Sequence, residues 1–458
     1  MLRRGTRPGR AAIVPILAAL AIACGSSPSA PRSRFPPSYE FASKCDDLAA
    51  KKQWVRSTLD EVYLWNDEIV DVDAGAYATP EAYYEALLVR TPTASGRPKD
   101  TWSFTTPVAT LERAVYWHGV RWSSFASTDV RAWYVRPGTP ASGAGVLRGD
   151  RLVAIEGVSV EQLTPDALYD ALFPAVPNQE VVITLASPDA GTRIVTMTDA
   201  PFADPGVLLD RVIDRPGGKV GYLAYTSANG NDAADWQAAV DRFLDAGVSD
   251  LVVDLRYNGG GSVENAVAAG SLIGGKPLNG KVFAYLTPNR RTQQLLVTAG
   301  SPAELQVPFV APPSSLALDR VYFLTTGATC SAAELLINGM VPWIDVWQVG
   351  GTTCGKPYGF DQHTNCGTTY WIVAQQDSNA LHRGDFEDGL VPRCAAQDDF
   401  SHALGDPAEG LFSAALAARE TGQCPPAALA PPPGPGSLLG GASAPRRPAP
   451  APRPSAAR

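Results

Sequence analysis

The chain has 458 residues, a length typical of about three domains. Hydrophobic residues make up 45% of it, which is sufficient for ordinary globular cores. The formal net charge is -8, and no basic cluster follows the first 35 residues. Binding to nucleic-acid phosphates requires a clustered basic face, so the composition argues against a nucleic-acid partner.

The first 23 residues have the pattern of an export signal peptide. Four arginines precede an apolar run from Ala11 to Ala23, which is too short to span a bilayer as a helix. Ala21-Ile22-Ala23 fits a cleavage site, and Cys24 follows directly. Two outcomes stay open: a lipid on Cys24, as in a bacterial lipoprotein, or simple cleavage that releases the chain. Both predict export, to the periplasm or cell envelope with or without a lipid anchor, or to the extracellular space.

The cysteine count agrees with export. Six cysteines follow Cys24, and an even number in an oxidising compartment predicts up to three disulfides. These cysteines are Cys45, Cys330, Cys354, Cys366, Cys394 and Cys424. The sequence has no CxxC and only four histidines, without the spacing of a zinc site. We therefore expect neither a metal nor another cofactor.

Three segments lie between two low-complexity tails. Residues 24–44 form a tether rich in Ser and Pro, and residues 425–458 form a Pro/Ala-rich tail that cannot bury enough apolar surface to fold. Residues 45–114 contain apolar stripes at helical spacing. Thr79-Pro80-Glu81 begins the second stripe, with a capping residue and then Pro at the first helical position. We predict a small N-terminal helical domain for this segment.

Residues 115–200 alternate short β-rich runs with turn signals, which predicts a β-rich domain. We expect four strands and one helix: strands at 131–135, 151–155, 181–185 and 193–197, and a helix at 165–172. Four short motifs occur in a distinctive order: Gly138-Thr139-Pro140-Ala141, Gly145-Val146, Gly149-Asp150-Arg151-Leu152 and Ile155-Glu156-Gly157.

This order of motifs resembles the core of a PDZ domain. The resemblance implies that an extended peptide adds to the edge of the sheet while a backbone nest binds its terminal carboxylate. Gly119-Val120 is the candidate nest. The alternative is a domain of the same fold that only braces its neighbour.

In residues 201–424, strands and helices alternate, which predicts an α/β domain with crossover helices. We expect strands at 219–225, 251–255, 321–324 and 346–349, and helices at 232–246 and 332–340. The run 251–255 is too uniformly apolar to have a solvent face, so it is predicted to be a buried strand.

Ser331 lies at the start of the helix that follows the third of these strands. Free backbone N–H groups at a helix N-terminus favour negative charge, so the N–H of Ala332 can stabilise an oxyanion formed when the Ser331 hydroxyl attacks a carbonyl. A purely structural role also fits, because Ser is a preferred N-cap and Glu334 completes a capping box.

Two glycine-rich segments supply candidate partners for Ser331. The segment from Asp254 to Gly261 follows the buried strand, and either Gly260 or Gly261 can offer a second oxyanion donor, worth about 3 kcal/mol in the transition state. Lys356 lies in a glycine-rich loop farther along the chain. It can act as a general base only when neutral, so burial has to lower its pKa from about 10.4 to roughly 7–8.

Over about residues 45–400, the chain resembles the carboxyl-terminal-processing (tail-specific) serine peptidases. The DLRxNxGG segment of that family matches residues 254–261, and its Gly-Lys pair matches Gly355-Lys356. Its Ser-Ala-Ser-Glu segment corresponds to residues 331–334, where Ala333 stands in place of the second Ser. The resemblance implies a multidomain α/β protein with a ClpP/crotonase-like catalytic core, a PDZ domain and a small N-terminal helical domain.

The same resemblance implies a function. The chain would be an exported serine endopeptidase acting on protein or peptide substrates, near C-termini recruited by the PDZ domain. Ser331 would be the nucleophile and Lys356 the general base. Ala332, with Gly260 or Gly261, would donate to the oxyanion.

A second departure from the family pattern lies close to the lysine. Phe360 stands where family members often carry a Gln that orients the lysine, which leaves the third catalytic residue open between Glu334, Gln362 and none. The departure favours an alternative, a catalytically weak or inactive peptide-binding protein that uses its PDZ domain. A Ser-His triad with His363 or His382 has no supporting spacing. An acyl-CoA enzyme of the crotonase type would lack the PDZ segment and the export signal.

Cys330 and Cys354 flank the two candidate catalytic residues. One hypothesis is therefore a disulfide that joins the nucleophile segment to the lysine loop. In the alternative, Cys354 pairs with Cys366 and pins the lysine loop alone. Six cysteines allow fifteen connectivities, and the sequence does not select among them.

Overall fold

The computed structural model describes residues 33–111, 116–126, 129–187, 191–201, 205–230 and 232–426, with only the backbone of residues 124–126. The predicted signal peptide, Cys24 and nearly all of the predicted C-terminal tail lie outside these residues. Among the helices of the described segments, none combines the length and apolarity needed to cross a lipid bilayer.

The helices of the described residues are α1 (Leu48–Val62), α2 (Pro80–Leu87), α3 (Val108–Leu111), α4 (Pro140–Gly143), α5 (Pro165–Leu172), α6 (Asp232–Ala246), α7 (Val263–Gly274), α8 (Arg290–Thr298), α9 (Ala332–Met340) and α10 (Gly410–Thr421). The strands up to residue 225 are β1 (Phe104–Pro107), β2 (Tyr116–Trp117), β3 (Val120–Ala126), β4 (Asp129–Val135), β5 (Arg151–Ile155), β6 (Val158–Ser159), β7 (Glu180–Ser187), β8 (Gly191–Thr198), β9 (Ala200–Pro201), β10 (Val207–Arg215) and β11 (Gly218–Tyr225). The later strands are β12 (Val248–Asp254), β13 (Val282–Pro288), β14 (Leu305–Pro308), β15 (Arg320–Thr325), β16 (Asp345–Gly350), β17 (Tyr358–Asn365), β18 (Thr368–Ser378) and β19 (Cys394–Ala395).

A six-stranded sheet with the order β10-β11-β12-β15-β16-β19 positions the candidate site. Strands β11, β12, β15, β16 and β19 run parallel, and β10 pairs antiparallel with β11. Helices α6, α7 and α9 share one apolar core with this sheet, and α10 shares the other, so its central strands are buried on both faces. The carboxyl ends of β12 and β15 therefore lie side by side. The glycine-rich segment after β12 and the segment of Ser331 after β15 both begin at that edge of the sheet.

A second, antiparallel sheet lies beside this α/β layer. Its order is β1-β18-β13-β14, and β17 pairs with β18 as a hairpin. Helices α1 and α2 pack their apolar residues against β17 and β18. Strand β1 falls inside the segment that the sequence predicts to be helical; it is only four residues long and gains its partner from β18, so no local pattern marks it.

The predicted PDZ-like region forms a separate antiparallel sheet, β3-β4-β5-β7-β8, with β6 paired to β5. The four predicted strands and the predicted helix are confirmed, with shifts of one or two residues at strand ends and with β3 and β6 in addition. Strand β3 lies at the edge of the sheet. Trp133 of β4 stacks on Tyr257 at a centroid distance of 4.5 Å, which joins this sheet to the loop that carries the candidate oxyanion glycines.

Candidate active site

Ser331 is the N-cap of α9, and the capping box with Glu334 is present. Its backbone has φ 55° and ψ -120°, a conformation that L residues rarely adopt. Such backbone strain costs about 1–3 kcal/mol and is typical of functional positions. The capping role and a catalytic role are therefore compatible, but the cap alone gives no reason for the strained backbone.

Two substitutions of Ser331 distinguish the effect of the strained backbone from the effect of losing the hydroxyl. Ser331→Gly removes the Cβ that conflicts with the positive φ, whereas Ser331→Ala keeps it. Both variants lose the hydroxyl, so we expect the Gly variant to be more stable than the Ala variant by about 1 kcal/mol. Thermal unfolding of the two variants measures this difference, and an Ala variant as stable as the Gly variant would show that the backbone is relaxed.

The glycine loop after β12 lies directly against Ser331. A Cβ on Gly260 would lie 2.7 Å from the Cβ of Ser331, so only glycine permits this approach. The buried Asn258 shapes the loop: its Oδ1 accepts from the N–H of Gly260 at 2.9 Å, and its carbonyl accepts from the N–H of Cys330 at 2.9 Å. Within the described residues, the N–H of Gly261 donates to no protein group, so it is available to a ligand.

The carboxylate of Glu334 ties the nucleophile segment to the lysine loop. It is fully buried and accepts hydrogen bonds from the N–H groups of Ser331, Gly355 and Lys356, each at 2.9 Å. The hydroxyl of Thr353 donates to it at 2.5 Å. Burial raises the pKa of Glu334, and these hydrogen bonds act in the opposite direction. Because its oxygens are occupied in this way, Glu334 fixes the spacing of the two loops.

The disulfide that joins the same two segments is Cys330–Cys354. The hypothesis of a bridge between the nucleophile segment and the lysine loop is thus confirmed in the structure, and the alternative pairing of Cys354 with Cys366 is not found. Cys366 pairs with Cys45, and Cys394 pairs with Cys424.

Removal of the Cys330–Cys354 bridge is expected to lower activity more than overall folding. The paired substitution Cys330→Ser and Cys354→Ser frees two loops that must stay in register, and a misplacement of about 1 Å can cost about 100-fold in rate. The matched control is Cys394→Ser with Cys424→Ser, a bridge near the C-terminus. The comparison uses peptide hydrolysis and thermal unfolding of both double variants. Equal losses of activity would show that the Cys330–Cys354 bridge only stabilises the fold.

Lys356 has the environment that a neutral amine requires. Its side chain is 9% exposed, and its Nζ lies 3.5 Å from the ring centroid of Phe360 and 5.8 Å from that of Trp102. Burial lowers the pKa of Lys356 to about 7, although the carboxylates of Asp377 and others act in the opposite direction. A substantial fraction of this lysine is therefore neutral near pH 7.

Ser331 and Lys356 line one cavity of about 880 Å³. Gly261 and Ala332 line it as well, so the candidate oxyanion donors face the same space. The rest of the wall is largely apolar and comes from α7, β13, β14, the loop after β14, and β17: Val263, Val267, Leu286, Val307, Val310 and Phe360. Such a cavity can hold an extended peptide with an apolar side chain next to the serine.

Several sequence candidates lie elsewhere. Gln362, a candidate third residue, is exposed on β17. His363 pairs with Asp361 at 3.0 Å, and His382 stacks on Tyr285; neither histidine lines the cavity.

Asp377 at the end of β18 lines the cavity beside Lys356 and was not a sequence candidate. Its backbone N–H donates to the carbonyl of Pro357 at 2.8 Å. This proximity arises from strand pairing between distant segments, so no motif in the sequence marks it.

Comparison with known proteins defines the class to which this fold and site belong. Family models match the chain in three places: the peptidase S41 N-terminal domain over residues 50–104, a PDZ domain over residues 134–186, and peptidase family S41 over residues 219–366. The chain thus matches peptidase family S41, the N-terminal domain of that family and a PDZ domain, as the sequence resemblance predicted.

Individual relatives agree with this assignment. Carboxyl-terminal-processing peptidase 2, chloroplastic, from Arabidopsis thaliana is 28% identical over 228 residues, which cover 48% of this chain and 40% of that protein. A carboxyl-terminal-processing protease from Synechocystis sp. is 28% identical over 222 residues, covering 48% of this chain and 47% of that protein. The matched region thus spans less than half the length of these curated relatives.

Among solved structures, a candidate S41 protease from Bacteroides fragilis shares the fold. It superposes with a TM-score of 0.66 at 24% sequence identity, and the match covers 81% of this chain and 97% of that one. The similarity in fold therefore extends over most of the chain.

Proposed function

We propose that this chain is an exported serine endopeptidase that cleaves peptide bonds by a Ser-Lys mechanism. The observation that carries the proposal is the shared cavity in which Ser331, Ala332, Gly261 and Lys356 meet. Burial also lowers the pKa of Lys356 to about 7, so this amine can be neutral when a substrate binds.

The proposed reaction is acyl transfer in two steps. Neutral Lys356 takes the proton of the Ser331 hydroxyl as the oxygen attacks the substrate carbonyl. The N–H groups of Ala332 and Gly261 donate to the oxyanion; Gly261 is preferred over Gly260, whose N–H is bonded to Asn258. Lys356 then protonates the leaving amine, and water hydrolyses the acyl-enzyme to release the second product.

The PDZ region is proposed to recruit the substrate C-terminus. Strand β3 is an edge strand, to which an extended peptide can add. Gly119 directly precedes β3 with φ 94°, in keeping with a backbone nest for a terminal carboxylate. The apolar walls of the cavity favour an apolar side chain beside the bond that is cleaved.

Digestion of a denatured protein tests the proposal. The full chain is expected to release peptides cut next to apolar residues, and a substrate with an amidated C-terminus is expected to be cut more slowly because it lacks the carboxylate that the nest would bind. Mass spectrometry of the products gives the cleavage sites. Absence of any cleavage, together with binding of C-terminal peptides, would replace the peptidase proposal by the second candidate.

That second candidate is a peptide-binding protein with little or no catalytic activity. Phe360 favours it, because this aromatic side chain cannot orient the lysine through a hydrogen bond as a Gln can. A serine-reactive fluorophosphonate separates the two candidates: labelling at Ser331 supports an enzyme, and absence of labelling with intact peptide binding supports the binding protein.

Export and the domain boundaries are further proposals. Three disulfides support an oxidising compartment. We propose a signal peptide at residues 1–23, a tether at 24–44, and domains at 45–114, 115–200 and 201–424, followed by a tail. The mass of the mature N-terminal peptide from cells that express the full chain tests the first point, since processing should leave Cys24 at the N-terminus, with or without lipid; an intact Met1 would exclude it.

A further inference from the structure

The structure leaves Lys356 without the partner that commonly orients such a lysine. Phe360 places its ring 3.5 Å from Nζ and offers no hydrogen-bond acceptor in the ring plane. Glu334 holds four donors from the two loops, and Gln362 is exposed on β17. Neither sequence candidate is therefore free to orient the amine.

Asp377, at the end of β18, is 6% exposed and lines the same cavity as Lys356 and Ser331. The bond from its N–H to the carbonyl of Pro357 fixes β18 next to the residue that follows the lysine. Gln375, two residues earlier on β18, donates from Nε2 to Oδ1 of Asp377 at 2.9 Å and holds the carboxyl group in place.

We propose, on the basis of the proposed function, that Asp377 is the positioning residue of Lys356. Its carboxyl group attracts the amine, keeps it over the ring of Phe360 and directs it toward Ser331. Asp377 thereby serves the purpose for which a Gln follows the lysine in related chains, but it acts from a different strand.

The other charges near Lys356 do not compete for this purpose. Glu334 on α9 and Asp100 before β1 also act on its pKa. The oxygens of Asp100 accept three hydrogen bonds from neighbouring groups, and those of Glu334 are occupied as described. Glu264 of α7 lines the cavity but is exposed. Among the described residues, Asp377 accepts a side-chain hydrogen bond only from Gln375.

Gln375 also accounts for a constraint on the lysine loop. A Cβ at Gly359 would lie 2.6 Å from Nε2 of Gln375, so the glycine at 359 lets the Gln375 side chain cross the hairpin. The β17–β18 hairpin, which begins directly after the lysine loop, thus carries Phe360, Gln375 and Asp377.

The test compares Asp377→Asn and Asp377→Ala with the wild-type chain. Burial raises the pKa of Asp377 to about 7, so its carboxylate forms in the same pH range in which Lys356 titrates. Loss of that carboxylate removes a charge that favours the ammonium form, so the acid limb of the pH profile of kcat/KM is expected to move to lower pH by up to about one unit. Asp377→Ala also removes the acceptor, so kcat is expected to fall by about 10- to 100-fold with little change in KM. Asp361→Asn, on the adjacent strand and paired with His363, is the matched control and should leave both quantities unchanged.

The outcomes separate this inference from the proposed function. Ser331→Ala is assayed in parallel: if that variant still hydrolyses peptides, the proposed function itself fails. If it is inactive and Asp377→Asn keeps the wild-type acid limb, the positioning role of Asp377 is wrong, even if kcat falls, because a purely structural defect leaves the limb in place. Asp377→Asn preserves the size of the side chain and an acceptor for Gln375, so it decides the question if the Ala variant does not fold.

Discussion

Ser331→Ala is expected to lower kcat for peptide hydrolysis by about 10⁵- to 10⁶-fold while the chain remains folded. The substitution removes only the hydroxyl oxygen and keeps the Cβ, so the contacts of the strained N-cap with the glycine loop persist. Without a nucleophile, no acyl-enzyme forms, and only the residual stabilisation from the oxyanion donors remains. Initial rates with a fluorogenic peptide, at saturating and limiting concentrations, measure the loss.

The matched control for this variant is Ser301→Ala, an exposed serine in the loop after α8. It should retain the wild-type rate. Peptide affinity of Ser331→Ala should stay near the wild-type value, because the hydroxyl contributes to the reaction rather than to the cavity walls. Activity of Ser331→Ala within tenfold of wild type would place the nucleophile elsewhere.

Lys356→Met is expected to reduce kcat by about 10³-fold or more, since it removes the proposed base but keeps an unbranched apolar side chain in the same space. In the wild type, kcat/KM should rise with pH through a midpoint of about 7, as Lys356 loses its proton. The variant should lack this limb. The pH profiles of both chains between pH 5 and 9 test the prediction, with exposed Lys276→Met as the control.

The same lysine predicts an effect on stability. The folded chain releases the Lys356 proton near pH 7, whereas the unfolded chain holds it up to about pH 10.4. Between these values the unfolded state binds more protons, so the free energy of unfolding rises with pH. Lys356→Met should therefore stabilise the chain below pH 7, by up to about 3–5 kcal/mol, and the gain should shrink toward pH 10. If Lys356→Met had a lower free energy of unfolding than the wild type at pH 6, the result would contradict a desolvated amine that destabilises the fold.

Local patterns predict the elements that carry the candidate nucleophile and the PDZ region. Helices α6 and α9 begin and end where their apolar periodicity does, and α2 starts at the predicted cap, Thr79. The buried strand β12 follows from its unbroken apolar run. These signals depend on neighbouring residues in the sequence, so they can be recognised without knowledge of the tertiary structure.

The second sheet and the details of the site depend on contacts between distant segments. Strand β1 exists only through β18, which lies more than 250 residues later. The choice between Gly260 and Gly261 depends on where the Asn258 side chain points. Asp377 lines the same cavity as Lys356 because the β17–β18 hairpin folds back on the lysine loop, and no spacing rule links the two.

If a neutral Lys356 activates Ser331, the rate at which a fluorophosphonate phosphonylates the protein should report this activation. Measured by intact mass across pH 5–9, this rate should rise along one ionisation near pH 7, with the adduct on Ser331. In Lys356→Met the rate should fall to a low value that lacks this ionisation. A rate that does not depend on pH, or an adduct on another residue, would contradict a mechanism in which neutral Lys356 activates Ser331.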